Sequence, residues 1–151
     1  MKDLSKEEIE KLLLTERFGM LALTDGFKPY CIPFGFAYTN NFLYISFFEK
    51  GRKWGYLQAN SNACFCVYKL LDEVGRGWAS VVVDGKLAKV TDLEEIRLLL
   101  EAYVKKYGGD PKYVEERLDY YKRSESKTSG VKVYKIEISK MSGKKSQGEE
   151  H

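Results

Sequence analysis

The sequence predicts an α+β fold, a six-stranded antiparallel β-barrel with helices packed outside it. Three observations carry this. Most apolar residues fall in short β-branched and aromatic runs separated by turn dipeptides. Segments of helical period are few and gather at the start and toward the end. No long helix alternates with the strands, as a parallel α/β sheet requires. At 151 residues and 44% hydrophobic content the chain suffices for one such core and is too short for two.

Each element has its own signal. Ser5 and Glu8 form an S-x-x-E capping box, and Ile9, Leu12 and Leu13 follow on one face, so residues 5–16 read as a short amphipathic helix. The period then changes. Runs from Phe18 to Thr24, Tyr30 to Tyr38 and Phe42 to Phe47 are broken at Asp25-Gly26 and Asn40-Asn41, the turn dipeptides of a three-stranded meander. Pro33 cannot donate to a ladder, which places its strand at an edge, at a bulge or beside a ligand. Residues 54–59 read as a short helix and 63–70 as a fourth strand. GWASVVVDGKLAKVTD is a long fifth strand, broken or bent at Asp84-Gly85. From Asp92 onward Leu93, Ile96, Leu99, Leu100 and Tyr103 recur at three and four, up to Gly108-Gly109. Pro111 opens another helix to about Tyr121, ESKTSG is a loop, and VKVYKIEI alternates as the sixth strand. The closing SGKKSQGEEH is polar, and residues 146–151 are expected to be a disordered tail.

Charge and composition narrow the function. Twenty-five basic and 22 acidic side chains give a net charge of +3 with the signs interspersed, which is not the footprint of a strong nucleic-acid binder. No apolar run is long enough to span a membrane and the N-terminus MKDLSKEEIE is charged, so a cytoplasmic protein is expected. The one histidine is His151, the last residue, which excludes a histidine-based triad or metal site within the fold. Cys64 and Cys66 share a strand face, but only Cys31 remains as a further soft ligand. The thiols therefore read as small hydrophobes of the core or of a pocket wall.

The remaining candidate is Gly51-Arg52-Lys53. Two adjacent cations that follow a strand and open a helix put backbone N–H groups, the positive end of the helix dipole and charged donors at one spot, as a phosphate requires. Gly51 lets the backbone approach closely. A small barrel core accounts for most of the eight Phe, eleven Tyr and two Trp, and any surplus beside a cationic turn could also wall a planar ligand.

These pieces come in an order that resembles the FMN-binding split barrel of the pyridoxamine 5'-phosphate oxidase-like superfamily, most nearly its nitroimidazole-resistance-type members. The resemblance rests on the opening helix, the GMLALTDGFKPYCIPFGFAY hairpin, FLYISFFEKGRK with its helix, VVVDGKLAKVTD and KVYKIEISKMSGK. It implies a split-barrel domain over residues 1–145, a homodimer with FMN at the interface, and electron transfer from a reduced nicotinamide coenzyme to a small acceptor. It also implies a site. Gly51, Arg52 and Lys53 hold the phosphate, Ile32, Pro33, Phe34 and Gly35 lie along the ring, Ser46 and Phe47 flank the ribityl and phosphate end, and Ser80 reaches the flavin from a partner strand or subunit.

Two departures limit it. Many nitroimidazole-resistance-type relatives carry histidine where this chain has Ser46, and the cations that grip substrate phosphate in true pyridoxamine phosphate oxidases are replaced by Ile32 and Ala37. Vitamin B6 oxidation is therefore not expected. Competing readings are a flavin-binding module without turnover, the same fold holding haem or a deazaflavin, and a barrel that grips single-stranded nucleic acid through aromatics and lysines.

Overall fold

The computed structural model describes residues 1–124 and 130–147. Its elements are β1 (Lys2–Asp3), α1 (Lys6–Thr15), β2 (Phe18–Thr24), β3 (Pro29–Gly35), β4 (Ala37–Thr39), β5 (Phe42–Phe48), α2 (Gly51–Ala59), β6 (Asn62–Leu70), β7 (Trp78–Val90), α3 (Leu93–Tyr107), α4 (Lys112–Ser124) and β8 (Val131–Ser146). The fold is α+β, one curled antiparallel sheet with four helices. The expected 125–130 loop lies outside the described residues except for Gly130.

The local signals act as their chemistry dictates. Ser5 Oγ accepts from Glu8 N at 3.1 Å while Glu8 Oε1 accepts from Ser5 N at 3.0 Å, closing the capping box of α1. Asn40 and Asn41 both adopt positive φ, 55° and 62°, the pair of left-handed residues that a tight β4–β5 turn needs. Gly108 ends α3 in the left-handed conformation at φ 73°.

The strand count differs from the expected six. The Tyr30–Tyr38 run is divided at Phe36, and a two-residue strand precedes α1, which gives eight strands. The division has a physical reason. Along the sheet path β3-β2-β6-β7-β8-β5-β4, β3 is at one end and β4 at the other. Only Phe36 separates them in the chain, so the sheet must curl until its two ends meet. β3 pairs with β2 and β4 with β5, and the corner between them belongs to neither ladder. Pro33 accordingly sits on an end strand of this path.

The last strand is also longer than its apolar alternation shows. β8 runs to Ser146, paired with β7 along that strand's whole length and with β1 at its end. Ser146, expected in the tail, is buried within this strand, and residues 148–151 lie outside the described ones. The bend in β7 is a register shift at Asp84/Gly85. A Cβ on Gly85 would stand 2.2 Å from the Glu137 carbonyl oxygen, so glycine is required.

Two apolar clusters result. One fills the barrel, around Leu21, Leu43, Ile45, Phe65 and Val81. The other joins α3 and α4 to β5 and β8, through Tyr44, Ile96, Leu100, Leu118 and Val133. Glu95 on α3 pins this second layer, accepting from Tyr44 Oη at 2.7 Å and Lys135 Nζ at 2.8 Å. Among the described residues no helix is long and apolar enough to cross a membrane.

Candidate functional site

The N-terminus of α2 differs from the other helix starts. α1 and α3 are capped by Ser5 and Asp92 and carry glutamates in their first turns. α2 follows Lys50, whose side chain caps nothing, and has no acidic residue in its first turn. Its leading amides and the positive end of its dipole are left to whatever anion approaches. Gly51 opens the helix at φ 81°, and a Cβ built there would meet nothing within 4 Å, so the backbone faces open space.

Two aromatic groups support the cations. The Arg52 guanidinium lies 4.5 Å from the ring centre of Tyr30 and 5.7 Å from that of Tyr56, and the two rings stack at 5.2 Å. Lys53 Nζ stands 5.8 Å from the ring of Phe47, which stacks on Tyr134 at 4.7 Å and meets Phe34 at 6.0 Å. Rings steer a cation without neutralising it. Among the described residues neither Arg52 nor Lys53 forms an ion pair, whereas Glu49 nearby is held by Tyr134 Oη and, at 3.3 Å, Lys89.

The structure brings some of the expected residues together and separates others. Phe34, Phe47, Arg52 and Lys53 gather around the start of α2. Ile32 shares the inner face of β3 with Phe34, opposite Leu21 and Gly19, while Pro33 and Gly35 take the outer face opposite Met20 and Phe18. Ser46 is half-buried, opposite Val133, on the other side of β5 from Phe47. Ser80 lies on the outer face of β7, between Tyr68 and Lys144, with β6 and β2 intervening before β3. One chain alone does not carry Ser80 to the phosphate end.

The outer face of β3, β2, β6 and β7 is unusually apolar. Phe18, Met20, Tyr68 and Leu70 are 67%, 37%, 60% and 53% exposed there. Cys31, Cys64 and Cys66 share this face in the ladder register, so of the two places expected for the thiols, core or pocket wall, the core is excluded: Cys31 is exposed and the other two half-buried. Burial, with Asp84 alongside, pushes the Cys64 thiol up to about 11, and burial raises Cys66 as well. Both stay protonated and weakly nucleophilic at neutral pH. Among the described residues no group of His, Cys, Asp and Glu is arranged to hold a metal ion.

Tyr30, Tyr56, Tyr134 and Glu49 were not legible as site residues. The aromatic count signalled that some rings could wall a ligand, but which ones depends on how α2 lies against the sheet. The start of α2 is an open surface, and the described clefts lie elsewhere. One of about 590 Å³, between Leu14, Tyr38, Leu98 and Lys105, is formed by α1, β4 and α3.

The family described as Pyridoxamine 5'-phosphate oxidase matches residues 5–145. Among solved structures, an FAD-binding protein from Mesorhizobium loti is 26% identical, with a TM-score of 0.67 over 97% of this chain and 98% of its own. A candidate 5-nitroimidazole antibiotic resistance protein from Bacteroides thetaiotaomicron is also 26% identical, with a TM-score of 0.69 over 95% of this chain and 86% of its own. A haem-binding protein from Mycobacterium smegmatis shares the fold at 12% identity, with a TM-score of 0.68 over 99% of this chain and 60% of its own. No curated protein matches the chain.

Proposed function

Because the chain belongs to the pyridoxamine 5'-phosphate oxidase family, we propose that it is an FMN-binding flavoprotein and a cytoplasmic oxidoreductase, passing electrons from a reduced nicotinamide coenzyme to a small acceptor. The observation that carries this reading is the start of α2, a helix end with no side-chain cap and no acid in its first turn, opened by a left-handed glycine and flanked by two cations that form no ion pair among the described residues. A phosphate monoester matches that donor set, since amides, guanidinium and ammonium all donate and nothing nearby on the first turn repels it.

Each residue then has a role. Gly51 and the first amides of α2 cradle the phosphate, with Arg52 and Lys53 neutralising it. Tyr30 and Tyr56 restrain the Arg52 guanidinium beside their rings, which limits the rotamer freedom lost on binding. Phe47 and Ser46 flank the ribityl end, and Ile32, Pro33, Phe34 and Gly35 supply a largely apolar edge for the ring. Bound FMN supplies the two-electron chemistry, and the chain contributes anchoring, a water-poor wall and fixed dipoles. Nothing in this assignment supplies the grip for a vitamin B6 phosphate, because Ile32 and Ala37 are apolar.

The same reading makes the protein a homodimer. The apolar outer face of β2, β3, β6 and β7 needs a cover, and Ser80 lies on it, so a second copy seated there would bury the exposed Phe18 and Tyr68 and bring a Ser80 toward the other chain's flavin. The test of turnover is anaerobic mixing of the flavin-loaded protein with NADH or NADPH. Bleaching of the oxidised flavin bands is the expected result, and lasting oxidised absorbance with both donors would remove the nicotinamide-dependent activity.

A further inference from the structure

Three side chains on one face of α3 reach the corner where the chain leaves β3. Tyr103 Oη donates to the Gly35 carbonyl at 3.4 Å, Lys106 Nζ to the Phe36 carbonyl at 3.0 Å and Tyr107 Oη to the Arg17 carbonyl at 2.8 Å. Spacings of three and four put all three on the same stripe of the helix. The Lys106 ammonium also stands 3.6 Å from the ring centre of Phe36, which is fully buried. Partial burial lowers the amine to about 8 despite the opposing pull of Glu16.

This arrangement does something the sheet does not. Phe36 lies between the two ladders and takes part in neither, so its carbonyl has Lys106 as its donor. β3 has a sheet neighbour on one side only, so nothing in the ladder fixes Pro33–Gly35 from the other side. α3 holds the last residue of β3, Gly35, where Tyr103 Oη donates to the carbonyl and Tyr107 Oη is close enough that a Cβ would be 3.4 Å away. Arg17, at the start of β2, is tied by the same tyrosine, so the hairpin partner strand moves with it.

We infer that Tyr103, Lys106 and Tyr107 are positioning residues that fix the Pro33–Gly35 edge as the wall for a bound flavin ring. The inference rests on the FMN reading above. These side chains act through the backbone of β3, setting where its ring-facing atoms stand, and a shift well under 1 Å in such a wall changes how a ring is held.

The test compares Lys106→Met, Lys106→Arg and Tyr107→Phe with wild type by FMN titration, visible circular dichroism of bound flavin, reduction potential and thermal melting. Lys106→Met removes the donor to Phe36 O and should raise the FMN Kd about tenfold and alter the flavin dichroism. Lys106→Arg keeps a donor and should stay within about threefold of wild type. If Lys106→Met does not fold, a Tyr103→Phe, Tyr107→Phe double variant, which loses only two hydroxyls, carries the same comparison. A fall in Tm with Kd, dichroism and potential unchanged would make the contacts scaffold alone and overturn the inference while leaving FMN binding in place. A wild-type protein that takes up no FMN would overturn both.

Discussion

Replacing Arg52 and Lys53 together by alanine gives the sharpest separation of binding from folding. Each charge-assisted hydrogen bond to a phosphate contributes about 1.5–3 kcal/mol, so the pair is worth about 3–6 kcal/mol before allowing for overlap on one phosphate. At about 1.4 kcal/mol per decade, the FMN Kd should rise about 10²–10⁴-fold. The folded chain should scarcely notice. Arg52 is exposed and leaves its contacts with the Tyr30 and Tyr56 rings, worth about 0.5–1 kcal/mol each at an exposed site, and Lys53 leaves a distant contact with Phe47. The assay is quenching of free FMN fluorescence by titrated apoprotein, with thermal melting alongside. A double variant that melts near wild type and binds FMN within about threefold of it would refute the phosphate assignment, because no uncapped amide set alone should compensate for two lost cations.

Three further outcomes follow from the same structure. Phe18→Asp with Met20→Asp puts charge on the apolar outer face and should give a monomer by sedimentation velocity with weakened FMN retention; a variant that stays dimeric would place the interface elsewhere. Lys106 titrates lower in the folded chain than unfolded, so folding stability should rise as pH climbs from about 8 toward 10. The gain is about 1–2 kcal/mol after allowing for partial exposure, and denaturant midpoints for Lys106→Met should lack that slope. Gly85→Ala drives a Cβ into the Glu137 carbonyl and should cost at least about 1–3 kcal/mol in chemical denaturation, since backbone rather than a flexible side chain is in the way.

What the sequence disclosed, and what it withheld, follows from the range of each signal. The capping box at Ser5, the Asn40-Asn41 turn, the Asp84-Gly85 bulge and the Asp92 start of α3 are local chemistry, and each appears where its residues stand. The break at Phe36 has no local signal, because the residue is an ordinary aromatic in an apolar run and the break is imposed by sheet closure. The far half of β8 was invisible for a related reason. Its partner is β7's backbone, and ladder bonds leave no mark on a polar sequence such as SGKKS.

The site divides in the same way. Gly51, Arg52 and Lys53 are adjacent in sequence, so the helix start they build could be read directly. Tyr30 beneath Arg52 and Tyr134 beside Glu49 are distant in sequence and meet only once α2 is laid against the sheet. The cysteines stayed open between core and pocket wall because strand alternation says that Cys64 and Cys66 share a face without saying which face is the core. Register with Met20 and Ala22 settles that they point outward.

The most direct measurement is the visible spectrum of the purified protein together with mass spectrometry of whatever heat releases from it. The account predicts a yellow protein with the two bands of oxidised flavin, releasing FMN at about one molecule per chain. A colourless protein that takes up no added FMN, or one that releases haem or a deazaflavin instead, would contradict it.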